Sequence, residues 1–227
     1  MRHIFQTSRS AFNSRDTITR EQLLRNAFFL SVITIAYNVA EGVISVYFGQ
    51  SDETLALFGF GVDSFVEVLS GIGIAHMIRR LRSQGEEKRD NFERTALRIT
   101  GIAFYLLAVG LTAGAVINVV VGTVPETTLP GIVISAVSLA TMYLLFRAKL
   151  RVGRQLRSDA IIADANCTKT CFYLSMILLA SSASYEMFGW GWFDVLGSLG
   201  IAYFAWREGR EALTKARTGV LACGCDH

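Results

Sequence analysis

The stretch "AIIADANCTKTCFYLSMILLASSA", residues 160–183, is apolar enough for a membrane yet carries side chains that hydrocarbon disfavours. A helix needs ~20 residues to cross the ~30 Å hydrocarbon core of a bilayer, and this stretch is long enough. Asp164, Cys167, Lys169 and Cys171 lie within it. Because ionisable groups at this depth are costly, they are usually paired or functional. The stretch therefore predicts a membrane helix that contributes to a polar site.

Five further apolar stretches occupy most of the remaining chain, which is 52% hydrophobic with a mean hydropathy of +0.39. They cover residues 26–49, 54–78, 98–121, 131–147 and 190–206. A membrane-spanning backbone must satisfy its own hydrogen bonds, and a helix does so within one segment. We therefore predict an all-α polytopic membrane protein with six transmembrane helices. Residues 26–206 would form its membrane domain, between a cytoplasmic arm at 1–25 and a short cytoplasmic tail at 207–227.

Lysine and arginine are distributed unevenly among the connections between these stretches. They are concentrated in the arm, in the connections at 79–98 and 147–158, and in the tail, whereas "QSDE", "TVPETTLP" and "YEMFG" contain none. The positive-inside rule therefore predicts that both termini are cytoplasmic. The net charge of +3 then reflects topology, and no nucleic-acid partner is expected. We expect an integral protein of a bacterial inner or plasma membrane, whose first helix begins at the capping-box sequence "TREQ", residues 19–22.

Two pairs of ligand-type side chains are predicted near the middle of the bilayer. Asp63 and Glu67 are four residues apart on the second span and share one helix face. Cys167 and Cys171 have the same spacing on the fifth span. Two carboxylates one turn apart repel each other unless a proton or a cation joins them, which favours a functional role. The cysteines alone are better explained as small buried residues. Together the two pairs could close a four-coordinate metal site.

Other polar residues are predicted to line a pathway or to support these ligands. Asn38 and Glu41 lie on one face of the first span, and Asp164 extends the cysteine face of the fifth. Asn38 alone is better explained as a contact between helices than as a ligand. Glu41 either pairs with Lys169 or lines the pathway. Lys169 is turned about 200° from Cys167, so we expect it to meet a carboxylate on another helix or to extend towards the cytoplasm. It is the basic residue that we expect at the depth of the ligands.

The chain ends in "CGCDH", which contains four residues of metal-ligand type. They are Cys223, Cys225, Asp226 and His227. Such clusters favour soft or borderline metal ions. The segment is either a second metal site in the tail or an incidental sequence.

The segments "LALFGFGVDSFVEVLSG", "LRSDAIIADANCTKTCFYLS" and "WFDVLGSLGIAYFAWREGREAL" resemble the second, fifth and sixth helices of the cation diffusion facilitator family of metal transporters. Asn38 and Asp194 also fit the family's pattern. The resemblance implies metal ligands at the positions of Asp63, Glu67, Cys167 and Cys171, with cysteine where the family typically has His and Asp. We expect only a short tail in place of the family's usual cytoplasmic C-terminal domain. Because that domain carries the usual dimer contact, the sequence leaves open whether the protein forms a homodimer.

The resemblance implies a secondary transporter that exports a divalent transition-metal cation from the cytoplasm in exchange for protons. Thiolates favour softer ions, so Zn²⁺ and Cd²⁺ are the expected substrates. We see no nucleophile–base pair and no cofactor motif, so we expect neither an enzyme nor a resident cofactor. The alternative is a membrane subunit that binds or senses metal without transporting it.

Overall fold

The structure is a computed structural model that describes residues 2–52, 54–84, 91–122, 125–126 and 128–218. Within these ranges the chain forms six helices and no strand. The helices are α1 (Arg2–Ser51), α2 (Leu55–Gln84), α3 (Asn91–Val121), α4 (Leu129–Leu156), α5 (Asp159–Phe188) and α6 (Trp192–Thr218). The predicted all-α polytopic fold is confirmed.

Five helices, α1 to α5, are long and apolar enough to cross a membrane, and each contains the span predicted for it except for Thr54, which precedes α2. Helix α6 falls short of that hydropathy because its second half carries charged residues such as Arg207 and Glu208. It nevertheless packs alongside α3, where Gly101 and Gly209 let the two backbones approach closely. The sixth predicted span is therefore a helix of the bundle whose apolar part is confined to its first half.

The structure corrects one predicted helix end, the start of α1, and extends α6 beyond its apolar stretch. Helix α1 begins at Arg2, so the prediction that it starts at the capping box around Thr19 is wrong. Residues 2–41 contain neither Gly nor Pro, and nothing in that stretch interrupts a helix. Helix α6 continues to Thr218, through the first half of the predicted tail, because residues 207–216 are mostly strong helix formers.

Helix α2 lies at the centre of the bundle, in contact with α1, α3, α5 and α6. Its close approach to α1 depends on Gly61, since a Cβ atom there would lie 2.7 Å from the backbone nitrogen of Val46. On the opposite side, Phe60 and Leu57 enter a buried cluster with Leu174 of α5 and Ile201 of α6. This packing brings the acidic face of α2 towards α1 and α5.

Both ends of α2 are fixed by buried acids on other helices. Asp194 of α6 accepts hydrogen bonds from the backbone N–H groups of Leu55 at 3.0 Å and Ala56 at 3.1 Å. It therefore caps the first turn of α2, whose N–H groups have no partner within the helix. At the other end, Arg80 contacts both oxygens of Glu93 on α3 at 3.2 Å. These anchors hold the helix that carries Asp63 and Glu67.

Candidate metal centre

A thiol and a carboxylate meet where α5 crosses α2. The Cys171 thiol donates a hydrogen bond to Oε2 of Glu67, and the same oxygen accepts one from Nδ2 of Asn38 on α1 at 3.3 Å. Cys171 and Asn38 are both buried. Three helices thus converge on one carboxylate. The contact brings together a sulfur atom and oxygen atoms, which are ligand atoms that a transition-metal ion accepts.

Two buried oxygen atoms close to this contact have no hydrogen-bond partner in the described part of the chain. They are Oδ1 of Asp63, one turn along α2 from Glu67, and Oδ1 of Asn38. Each of these side chains is only 2% exposed. A buried acceptor without a donor costs free energy, and a cation can satisfy it. The unpaired atoms are acceptors of the kind that a cation binds.

Cys167 lies beside a small cavity of about 50 Å³ rather than at the Glu67–Cys171 contact itself. The cavity is also lined by Asn38, Glu67, Asp164 and Glu208. Its walls come from α1, α2, α5 and α6, together with α3 and α4. Polar side chains of α1, α2, α4, α5 and α6 therefore line one small cavity next to the contact.

Within the described ranges, no group of three or more His, Cys, Asp or Glu side chains is arranged to hold a metal ion. The structure brings Glu67 and Cys171 together, with Asp63 one turn away and Cys167 on the wall of the cavity. The predicted set of four ligands therefore stays a prediction, and it requires side chains to turn towards a bound ion.

Glu41 is held by hydroxyl groups and not by Lys169. Its two oxygens accept hydrogen bonds from Tyr37 at 3.0 Å and Ser64 at 3.2 Å, and the side chain is buried. Lys169 lies on the exposed side of α5 with its Nζ over the Tyr173 ring, 5.5 Å from the centroid. Of the two alternatives for Glu41, the ion pair with Lys169 is wrong.

The basic side chain next to the candidate ligands is Lys149 of α4, where we expected Lys169. Lys149 is 1% exposed, and its Nζ lies 3.0 Å from Oδ1 of Asp164 and 3.0 Å from Oγ1 of Thr168. Ser31 of α1 donates to the other oxygen of Asp164 at 3.1 Å. We had counted Lys149 among the cytoplasmic charges, but the structure makes it a buried partner. Asp164 therefore joins α1, α4 and α5 and is not available as an unpaired acid.

Glu208 is a second residue, after Lys149, that the sequence pattern did not identify as part of the site. It lies on α6, is partly buried, and accepts a hydrogen bond from Thr170 of α5 at 3.2 Å. It lines the cavity that Glu67 and Cys167 also line. The signal was present in the spacing, because Glu208 continues the face of α6 that buries Ser198, Ile201 and Ala205 at intervals of three and four residues.

The predicted metal ligands in the tail, Cys223, Cys225, Asp226 and His227, lie outside the described residues. That site stays a prediction.

Two comparisons bear on this arrangement. The sequence model of a family described as the cation efflux transmembrane domain matches residues 27–218. The chain is also similar to the magnetosome protein MamB of Magnetospira sp. (strain QH-2), with 24% identity over 206 residues, covering 89% of this chain and 68% of that protein. The family match includes every helix that contributes to the candidate centre.

Proposed function

The chain belongs to the cation efflux family of membrane transporters, and on that premise we propose that it exports a divalent transition-metal cation, Zn²⁺ or Cd²⁺, from the cytoplasm. The ion would bind between α2 and α5, at a site formed by Asp63, Glu67, Cys167 and Cys171. The membrane would be a bacterial inner or plasma membrane. Because the family consists of transporters, the chain is not an enzyme.

The observation that carries this proposal is the partly buried contact between the Cys171 thiol and the Glu67 carboxylate. Sulfur favours soft and borderline ions, whereas a site of oxygen atoms alone would suit Mg²⁺, Ca²⁺ or Mn²⁺. Zn²⁺ accepts a tetrahedral set of thiolates and carboxylates. Asp63 supports the same interpretation, because its buried Oδ1 has no hydrogen-bond partner among the described residues and a bound cation would satisfy it.

Exchange for protons follows from the same contact. A thiol that donates to a carboxylate carries its proton, and sulfur binds a metal ion as the thiolate. Binding of the cation must therefore release at least one proton from the site. If the site opens alternately to the two sides of the membrane, this displacement couples metal movement in one direction to proton movement in the other.

Reconstitution of this protein alone in liposomes tests the proposal. We expect Zn²⁺ to accumulate inside the vesicles, faster when the interior is more acidic than the bath, with protons leaving as the metal enters. Binding of Zn²⁺ without flux at every proton gradient would instead support the alternative, a membrane subunit that binds metal but does not transport it. A homodimer is one possible form of the transporter, and its existence is untested.

A further inference from the structure

Two small cavities meet at one pair of side chains. The first, of about 50 Å³, is lined by Asn38, Glu67, Cys167 and Glu208 among others. The second, of about 70 Å³, lies between α5 and α6 and is lined by Cys167, Thr170 and Glu208, by the basic residues Lys169 and Arg207, and by others. Cys167 and Glu208 are the two residues that line both. A thiol and a carboxyl group therefore border both cavities.

The position of Glu208 is defined by the neighbouring helix. Thr170 of α5 donates to one of its oxygens at 3.2 Å, and Thr170 lies three residues, about one helical turn, from Cys167. The next acid on α6, Glu211, contacts Lys215 one turn further along. Glu208 is thus directed towards the cysteine face of α5, whereas the charge of Glu211 is balanced within its own helix.

An independent observation indicates that the first cavity is suited to a cation. Asn38, which is 2% exposed, lines this cavity, and its Oδ1 has no hydrogen-bond partner in the described structure. The ammonium group of Lys149 borders the same space but is engaged by Asp164 and Thr168 at 3.0 Å. The cavity therefore presents an unpaired oxygen and acidic side chains to a cation, with its nearest fixed positive charge already paired.

We propose that Cys167 and Glu208 form a loading site for a soft divalent cation on the cytoplasmic side of the Glu67–Cys171 contact. One thiolate and one carboxylate, with water completing the shell, would hold Zn²⁺ or Cd²⁺ more weakly than the deeper set of ligands. The cation would then move one turn deeper along α5, where it would keep Cys167 as a ligand and exchange Glu208 for Asp63, Glu67 and Cys171. This inference rests on the proposed transport function and adds to it a first binding step and a residue of α6.

The test is the dependence of Zn²⁺ flux on Zn²⁺ concentration for the full chain in liposomes, comparing Glu208→Gln with the parent. Even residues that only support the ligands of a metal ion typically contribute about 10–100-fold to its affinity, so loss of the Glu208 ligand should raise the half-saturating concentration by at least about tenfold. The maximal rate should stay within about twofold, because the deeper ligands are unchanged. Glu208→Asp should recover part of the affinity.

The matched control is Glu21→Gln, which removes the same charge from an exposed glutamate that pairs with Arg82 at 3.0 Å. We expect its half-saturating Zn²⁺ concentration to equal that of the parent. That result would show that the effect of Glu208→Gln is local and does not come from the loss of one negative charge. A half-saturating concentration that is the same in Glu208→Gln and the parent would overturn the loading site while leaving transport intact.

A second measurement keeps the inference testable if the parent protein shows no flux. Cd²⁺ titration of the purified protein, followed by the ultraviolet absorption of Cd²⁺–thiolate bonds, reports binding directly. With the tail cysteines replaced by serine, we expect a weak phase that Cys167→Ser abolishes and Glu208→Gln shifts to higher Cd²⁺. A parent without flux but with this phase would reject the proposed transport and retain the loading site. A phase that Glu208→Gln leaves unchanged would reject the site.

Discussion

The Cys171 thiol of α5 donates a hydrogen bond to the Glu67 carboxylate of α2, and this contact joins a buried cysteine to a partly buried glutamate. In the proposed mechanism, a metal ion would displace the proton of this hydrogen bond and bind the sulfur as thiolate.

The carboxylates of α2 are expected to be essential for binding. Asp63→Asn and Glu67→Gln keep the shape of each side chain but remove its charge, so each should abolish Zn²⁺ flux and leave the helical content unchanged. Proteoliposome flux and circular dichroism measure the two effects. If both variants transport at the parent's rate, the carboxylates are structural.

The cysteines are expected to set the preference between metals. Replacing them by the family pair, Cys167→His with Cys171→Asp, exchanges two soft ligands for harder ones. We therefore expect the double variant to retain Zn²⁺ and to lose affinity for Cd²⁺ relative to Zn²⁺. The measurement is the ratio of Cd²⁺ to Zn²⁺ affinities in the parent and the variant. An equal or higher ratio in the variant would show that the cysteines do not touch the metal.

The Lys149–Asp164 pair is expected to support the fold more than it supports binding. Lys149→Met leaves a buried carboxylate without its partner, a change that typically costs about 3–5 kcal/mol. We expect a clear fall in the thermal midpoint of the detergent-solubilised protein. Adding Asp164→Leu should recover most of the loss, because it removes the unpaired charge.

The control for this pair is Arg82→Ala, which breaks the exposed contact with Glu21. Pairs exposed to solvent typically contribute only about 0–1 kcal/mol, so the midpoint should change little. A Lys149→Met variant as stable as Arg82→Ala would mean that Asp164 finds another donor.

Much of this arrangement could be read from the sequence, and the parts that could not have physical reasons. Long apolar stretches fixed the helices because hydrocarbon leaves the backbone few alternatives. Spacing paired Asp63 with Glu67 and Cys167 with Cys171 on shared faces. The sequence does not show which side chains on different helices contact each other. For this reason we expected Lys169 near the candidate ligands, where the structure has Lys149 paired with Asp164.

The pattern that would have found Lys149 lies on α4. Ser135, Ser138, Met142 and Leu145 are all buried at intervals of three and four residues, and Lys149 continues their face. Its charge suggested a cytoplasmic loop, because lysine usually marks the end of a span. A long side chain on the inner face of a helix end can instead reach an acid on the neighbouring helix, as Lys149 does with Asp164.

The topology is expected to place the α3–α4 connection and the end of α2 on opposite sides of the membrane. Glu126→Cys and Ser83→Cys, each exposed in the structure, can be introduced after the native cysteines are replaced by serine. An impermeant thiol reagent added to intact cells should label the cysteine at 126 and not the cysteine at 83. Labelling of both from the same side would overturn the assignment of the termini to the cytoplasm.

The most direct test of the central claim is the X-ray absorption fine structure of Zn²⁺ bound to the purified protein. The tail cysteines Cys223 and Cys225 are first replaced by serine, so that any sulfur signal comes from α5. We predict sulfur neighbours at ~2.3 Å together with oxygen neighbours at ~2.0–2.2 Å. The sulfur shell should disappear in a further variant with Cys167→Ser and Cys171→Ser. A zinc ion surrounded only by oxygen and nitrogen before that change would contradict a site between α2 and α5.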